Sequence, residues 1–331
     1  MDKKLRWGIV GAADIALRSV MPGIQGSATG VIQAVASRGL EKASAAAAQF
    51  GVSQTYGSYE ELLQDPNIDA VYIPLPNHLH REWTIRAAEA GKHVLCEKPL
   101  ALTAAEAQEM VDACAKAGVV LAEAFMYRHH PRMEQIKQLI ADGEIGELRA
   151  LRGAFTFNNA ADSNNIRYRA DWGGGGLFDV GCYPLTAARY FMGQEPEAVT
   201  VHAFFSPEHD NVDMMASGLV EFEGGVALTF DCGMWANFRQ SFEIVGTDGR
   251  IDIPNAFIAN GEDAAFTVTN KNGTREVKPD IVNTYARQVD DFARAVWKEQ
   301  VPLFPEDDAV RNMKLIEACL KSARSKARIV L

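Results

Sequence analysis

Two short stretches of this sequence carry residue types that could move a proton. The first is CEKPL, residues 96–100, where Glu97, Lys98 and Pro99 close the apolar run KHVLCEKPL. The interior of that run is apolar and β-favouring, which predicts a short buried strand. Pro99 cannot donate to a sheet ladder and marks the strand's end. The second stretch is RADWGGGGLFDVGCYPL, residues 169–185. Four successive glycines give a flexible chain able to approach a ligand closely. Asp179 follows near a helix start, where its charge suits the macrodipole. Tyr183 stands four residues on and shares its helix face. An N-capping aspartate and a core tyrosine are the structural alternatives, but a shared face behind a glycine loop favours a site.

The elements around these residues must position them. RWGIV, VIQAVAS, AVYIPLP, KHVLCE and VVLAEAF read as apolar strands. Segments of helical spacing separate them, around 14–25, 41–50, 78–90 and 103–117, and a shorter helix near 58–64 follows QTY. Such alternation implies an α/β fold: a doubly wound parallel Rossmann sheet with right-handed crossovers. Its ligands sit outside the carboxyl ends of the strands. Lys98 would emerge there, with Glu97 placed to orient it or a nicotinamide ribose.

The first βα turn is GIVGAADIA, residues 8–16, in the right context for a dinucleotide fingerprint. From Gly11 it reads G-x-A-x-x-A, so Ala13 and Ala16 replace the usual glycines, and an ordinary tight turn is the alternative. At the end of the second strand, VASRGLEK places Ser37 and Arg38, with Lys42 one helical turn on. An NAD-binding fold normally carries an acidic residue there. A carboxylate would repel a 2′-phosphate, whereas a guanidinium pairs with it through charge-assisted hydrogen bonds. The position favours NADP(H) over a merely solvated arginine.

From about residue 126 the texture changes to ELRALRGAFTF, EAVTVHAFF, MMASGLVEFE, VALTFDCGM, RQSFEIVGT and GRIDIP, several of them joined by tight turns. This predicts an α+β domain over 126–331 on an open, mainly antiparallel sheet, after a cofactor domain over 1–125. Helices at 179–192, 283–298 and 306–325 would cover one sheet face. The other face needs a partner, so a homodimer or homotetramer is expected, with Val201, Ala203, Leu228 and Phe230 as candidate interface positions.

Composition narrows the function classes. A chain of 331 residues exceeds what one core usually holds. Its net charge of −10 argues against nucleic acid and anionic membranes as partners. The start, MDKKLRWGIVG, enters a strand without an apolar signal region, and no apolar run approaches bilayer length. Five cysteines without CxxC spacing suggest reduced thiols in a cytoplasmic protein. The adjacent His129 and His130 cannot share a face, and no metal is expected.

Taken together, GIVGAADIA, HVLCEKPLA, EAFMYRHHP and GGGGLFDVGCYPL resemble the Gfo/Idh/MocA oxidoreductases over essentially the whole chain. The resemblance implies a dehydrogenase or reductase acting on CH–OH groups. It places the lysine of EKP beside the nicotinamide and makes the residue four after the aspartate the acid/base. Many members carry histidine there. Tyr183 is similar to the branch holding glucose–fructose oxidoreductase, dimeric dihydrodiol dehydrogenase and NADP-dependent xylose dehydrogenases. The same resemblance implies a cis Lys98–Pro99 peptide and sets Ala12, Ala13, Asp14 and Ile15 against the pyrophosphate. Leu75, Pro76, Asn77 and His80 would line the adenosine and nicotinamide-ribose side, although His80 also reads as a helix-face histidine. Ile166, Arg167 and Tyr285 would be second-domain contacts to the cofactor, and Arg128, Arg169 and Trp172 pocket walls.

The chemistry fits that assignment. Free tyrosine, with a pKa of about 10, is a poor base at neutral pH. An ammonium such as Lys98 would favour the phenolate and polarise the substrate oxygen, while Asp179 could orient the pair or bind a second hydroxyl. A sugar or polyol substrate is expected, foremost a xylose- or glucose-like aldose oxidised at its anomeric carbon. A ketosugar reductase is one alternative. Another is a trans-dihydrodiol dehydrogenase with Phe155, Phe157 and Phe178 as apolar walls. The joint presence of Lys98, Asp179 and Tyr183 argues against a non-catalytic NADP sensor.

Overall fold

Strand and helix alternate through the first 125 residues of the computed structural model, which describes residues 3–162, 164–259 and 261–331. The strands are β1 (Leu5–Val10), β2 (Gly30–Ala36), β3 (Gln54–Tyr56), β4 (Ala70–Ile73), β5 (His93–Cys96) and β6 (Leu121–Glu123). They form a parallel sheet in the order β3-β2-β1-β4-β5-β6, so QTY supplies an edge strand. The order reverses between β1 and β4, which makes their carboxyl ends the switch point where ligands bind such sheets. A π-helical turn, Ala16–Val20, runs into α1 (Met21–Gly26); α2 (Leu40–Gln49), α3 (Tyr59–Gln64), α4 (His80–Glu89) and α5 (Ala104–Ala117) follow. Local sequence starts α3 and α5: Ser58 Oγ accepts the Glu61 N–H at 3.2 Å, and Thr103 Oγ1 accepts that of Glu106 at 3.1 Å.

The chain forms two compact units, residues 1–129 with 283–310, and residues 130–282 with 311–331. In the second unit α6 (Pro131–Ala141) precedes β7 (Leu148–Asn158), and α7 (Cys182–Met192) precedes β8 (Ala198–Phe205). Then come β9 (Asp213–Glu221), β10 (Ala227–Gly233), β11 (Trp235–Gly246), β12 (Gly249–Ile253), β13 (Phe266–Asn270), β14 (Gly273–Val277) and finally β15 (Ile329–Val330). The sheet order is β14-β13-β12-β11-β7-β10-β9-β8-β15. Every neighbouring pair is antiparallel except β7 and β10. This is the open, mainly antiparallel sheet that the alternating strands predict.

Two expectations change. The helix near 283–298, now α8 (Thr284–Val296), packs in the first unit rather than on the second sheet. Its stripe of Ala286, Val289, Phe292 and Ala293 is buried, and the Phe292 ring lies 5.1 Å from that of Trp7. Asp290 Oδ1 accepts the backbone N–H and hydroxyl of Thr29 at 3.0 and 2.6 Å. An amphipathic stripe states that a helix needs a partner, not which one. The last helix, α9, spans Asp308–Ser325.

The second change concerns the uncovered face of the sheet. Val201, Leu228 and Phe230 are only 4%, 0% and 3% exposed, whereas the alternate residues Thr200, His202 and Thr229 are exposed. Val201, Leu228 and Phe230 therefore belong to the buried face, and Ala203 is half-buried. Alternation identifies the apolar face but not what covers it. The opposite face mixes ion pairs, Arg152 with Glu243 at 2.8 Å and Arg239 with Asp231, with the exposed apolar side chains Phe204, Leu219 and Trp235. All five cysteines are buried, and none is in a disulfide. Among the described residues, no helix is long and apolar enough to cross a membrane.

Candidate active site

The chain leaves β1 and turns at Gly11, whose φ is +114°; a Cβ there would stand 2.9 Å from Leu75 Cδ2. Only glycine fits that turn without strain. The turn and the ends of β2 and β4 bound a cavity of about 350 Å³, onto which Gly11, Ala12, Ala13, Ser37, Arg38, Lys42, Leu75 and Pro76 all open. The structure thus gathers in one place eight of the residues expected around a cofactor. Arg38 and Lys42 are exposed cations, and no carboxylate lines this cavity among the described residues. Such a lining suits an anionic nucleotide bearing an additional phosphate. Asp14 and Ile15 stand exposed at the same turn, and Asn77 opens a 3-10 turn, Asn77–Leu79, after β4.

At the end of β5 the Lys98–Pro99 peptide is cis. Glu97 is held from two sides: Tyr72 Oη donates to its Oε1 at 2.6 Å, and the Lys98 N–H donates to its Oε2 at 3.2 Å. Burial and the Glu97 charge push the Tyr72 phenol well above its ordinary range, so it stays a donor. Glu97 therefore orients the backbone of Lys98.

His80 has a different place from the one expected. It is 0% exposed, with Nδ1 3.0 Å from the Pro99 carbonyl and Nε2 2.7 Å from that of Leu75. Burial outweighs those carbonyls and pushes its pKa down to about 4, so the ring is neutral and donates to one carbonyl at a time. It braces the turn after β4 against the turn after β5 and leaves no ring nitrogen for a ligand. Tyr285 also moves from its expected role in the second half. It starts α8 in the first unit, bonded to Ser19 and within electrostatic reach of Glu97 and Lys98, and burial raises its pKa.

In the second unit a π-helical turn, Leu177–Gly181, carries Asp179 and runs into α7, whose second residue is Tyr183. Arg167 Nε donates to Asp179 Oδ2 at 2.6 Å. The charge of Asp179 raises the Arg167 pKa, and Tyr183 lies within electrostatic reach of the same guanidinium. The Tyr183 ring sits in an aromatic cradle, 5.1 Å from Phe155 and 5.4 Å from Phe257, and these two rings stack on each other. Phe238, 55% exposed, continues the cluster edge-on to Phe155. This unit therefore presents a phenol, a guanidinium–carboxylate pair and an apolar wall. That set can exchange a proton with a hydroxyl and hold a ligand that has both polar edges and a C–H face.

The glycine run packs closely on its own chain. A Cβ on Gly174 would stand 2.4 Å from the Arg167 carbonyl, and one on Gly175 (φ +116°) would stand 2.1 Å from Asp213 Oδ1. The Gly174 and Gly175 N–H groups bond to the Arg169 and Arg167 carbonyls at 2.9 and 3.0 Å. The run lets the backbone bearing Arg167 fold tightly against the start of the Asp179 segment.

Other expected residues scatter. Arg128 belongs to the first unit, where it pairs with Asp308 at 2.6 Å and its guanidinium stacks 3.2 Å over the Phe304 ring; it lines a separate cavity of about 70 Å³. These partners hold its Nη1 and its guanidinium face within the first unit, while its buried Nε has no hydrogen-bond partner among the described residues. His129 pairs with Asp291 at 2.8 Å, and His130 Nδ1 accepts the Arg132 N–H at the start of α6. Arg169 is exposed over Trp172, and Ile166 is exposed beside Arg167.

Several residues in the site went unforeseen. Phe257 is fixed by two buried clamps: Gln240 Oε1 accepts its N–H at 2.9 Å, and Arg132 Nη2 donates to the Asn255 and Ala256 carbonyls at 2.7 and 2.6 Å. Arg132 lies with Met133 and Ile136 on the buried stripe of α6, where an arginine must find acceptors.

Two family profiles match the sequence: "Oxidoreductase family, NAD-binding Rossmann fold" over residues 5–125, and "GFO/IDH/MocA C-terminal domain" over residues 133–252. Among curated relatives, the chain is 38% identical to D-xylose 1-dehydrogenase (NADP(+)) 2 of Haloferax volcanii, over 99% of this chain and 100% of that protein. Among solved structures, it is similar to an aldose-aldose oxidoreductase from Caulobacter crescentus complexed with glycerol (TM-score 0.93, 29% identity, 99% of this chain and 100% of the other). It is also similar to a 3-ketoreductase from Actinomadura kijaniata in complex with NADP and TDP-benzene (TM-score 0.91, 31% identity, 97% and 98%).

Proposed function

This chain belongs to the Gfo/Idh/MocA oxidoreductase family, and on that premise we propose that it is an NADP(H)-dependent oxidoreductase acting on a sugar, foremost a xylose- or glucose-like aldose at its anomeric carbon. The observation that carries this reading is the pairing of Tyr183 with the Arg167–Asp179 ion pair inside an aromatic cradle. When bound, NADP(H) accepts or supplies the hydride. Gly11, Ala12, Ala13, Asp14 and Ile15 receive the pyrophosphate, and Ser37, Arg38 and Lys42 the 2′-phosphate. Leu75, Pro76, Asn77, Glu97 and Tyr285 take the ribose side, His80 acting through the carbonyls it braces. Lys98 polarises the reacting oxygen. Tyr183 exchanges the hydroxyl proton, with the Arg167 charge favouring its phenolate form. Asp179 holds Arg167 and accepts from a neighbouring substrate hydroxyl, and Trp172 and Arg169 border the ligand.

The cavity lining supports a cofactor preference that can be measured. Arg38→Ala removes a charge-assisted phosphate contact and is expected to weaken NADPH binding about tenfold or more, leaving NADH nearly unchanged. Fluorescence titration with both nucleotides checks it; equal affinities in the wild type would sink the preference.

The substrate is tested by initial rates of NADPH formation with xylose, glucose and a trans-dihydrodiol, and by NADPH oxidation with a ketosugar. Rapid turnover of an aldose is expected. The stacked Phe155 and Phe257 against Tyr183 favour the dihydrodiol as the second reading, because an arene ring suits that wall. Diol oxidation without any aldose turnover would select it.

A homodimer or homotetramer in the cytoplasm completes the proposal. Five cysteines, none of them in a disulfide, support a reducing compartment. Light scattering is expected to give at least twice the 36.2 kDa chain mass at micromolar concentration; a monomer would refute self-association.

A further inference from the structure

Beneath the glycine run lies a carboxyl group to which the proposed chemistry gives no role. Asp213, the first residue of β9, is 1% exposed. Its Oδ2 accepts the Leu177 N–H at 2.7 Å, and the N–H groups of Gly176 and of Asp213 itself also bond to it. Leu177 is the first residue of the turn that carries Asp179 and leads to Tyr183. The Asp179 N–H in turn bonds to the Gly175 carbonyl at 3.0 Å, and Gly175 packs directly on the Asp213 carboxyl. The backbone bearing both functional side chains is thus fastened at its origin to one buried acid.

We propose that Asp213 is a positioning residue whose carboxylate anchors the start of the Asp179–Tyr183 segment, so that its charge state controls how firmly Tyr183 is held for proton transfer. The inference rests on the reading of Tyr183 as the proton-transfer residue. The groups that face Asp213 electrostatically are Arg324 and the Cys319 thiol from α9 and the Cys232 thiol from β10. Burial pushes both thiols up, so they stay neutral, and Arg324 is the opposing charge.

Burial pushes Asp213 up to about 7, against the pull of its backbone donors. The sign follows from the unfolded chain, where the acid ionises at 3.8. Between these values the unfolded form loses its proton first, so the stability contributed by Asp213 falls as pH rises towards 7 and is level above it. The anchor behaves in the opposite sense. Above about 7 its bonds to the N–H groups are charge-assisted, and below it they are ordinary and weaker. Folding and anchoring therefore pull in opposite directions across neutrality.

Asp213→Asn keeps the shape and an acceptor oxygen but removes the charge at every pH. Wild-type kcat is expected to carry a step near pH 7 that Asp213→Asn lacks. Above pH 8 the variant should turn over about tenfold more slowly, with substrate KM and NADPH affinity within about twofold. In the wild type alone, protection of the Leu177 amide from hydrogen exchange should rise between pH 6 and 8 relative to amides within α7. Unchanged kcat and profile in the variant, or a pH-independent Leu177 protection, would overturn the inference. Tyr183→Phe separates the two levels. Full activity there removes the proton-transfer reading, whereas an inactive Tyr183→Phe beside a wild-type-like Asp213→Asn removes only the role of Asp213.

Discussion

Tyr183→Phe is expected to lower kcat by about 10²–10⁴-fold while leaving NADPH affinity and the fold unchanged. The substitution removes one hydroxyl and keeps the ring that Phe155 and Phe257 enclose at 5.1 and 5.4 Å, so packing should survive. Lys98→Met should cost a similar factor, because it keeps most of the side-chain volume and deletes the ammonium. Cofactor affinity must be titrated in both variants, since Lys98 is positioned by Glu97 at the turn assigned to the ribose. Steady-state rates with the best aldose from the substrate panel check the pair. Near-wild-type kcat in Tyr183→Phe would move the proton-transfer role to Asp179 or Lys98.

Gly175→Ala should damage stability far more than Gly193→Ala. Both Gly175 and Gly193 have positive φ, +116° and +65°, where an L side chain is strained by about 1–2 kcal/mol. At Gly193, the C-cap of α7, a Cβ would meet nothing within 4 Å. At Gly175 it would stand 2.1 Å from Asp213 Oδ1, a separation no packed pair tolerates, and the partner is buried and pinned by three N–H groups. We expect about 3–5 kcal/mol lost for Gly175→Ala and about 1–2 for Gly193→Ala. Urea unfolding of both variants measures the difference. Equal losses would mean that the Asp213 carboxyl can move aside and is no fixed anchor.

The sequence announced the first unit well because its signals are local. Strands β1, β2, β4, β5 and β6 are apolar runs bounded by helical spacing, and the special residues of each βα turn stand at the strand ends. That regularity is why Gly11, Ser37, Arg38 and Leu75 could be named together before any cavity was seen. Asp179 and Tyr183 were legible for the same reason, four residues apart behind a conspicuous glycine run.

What stayed hidden depends on partners distant in sequence. The glycines read as a ligand loop because nothing nearby points to Asp213, whose apolar neighbours MMASGL only suggest a strand. His80 binds main-chain carbonyls, which every residue possesses and no side-chain pattern reveals. The faces of β8 and β10 alternate correctly, yet alternation cannot tell a covering helix from another subunit. The parallel pairing of β7 with β10 is invisible for a like reason, since register depends on which strands meet.

The return of α8 to the first unit bears on how the chain matures as it leaves the ribosome. N-terminal domains commonly fold as they emerge. Here Trp7, Val20 and Ile24 belong to a core that Val289 and Phe292 complete, and Thr29 bonds to Asp290 of the same helix. Those residues arrive only after all of 130–282 has been made. A nascent polypeptide halted at residue 129 would hold the parallel strands with an apolar flank still open to water and to chaperones. Completion of the first unit is thereby deferred until α8 has been made, and a polypeptide ending at residue 129 should be an aggregation-prone fragment rather than a minimal nucleotide-binding protein.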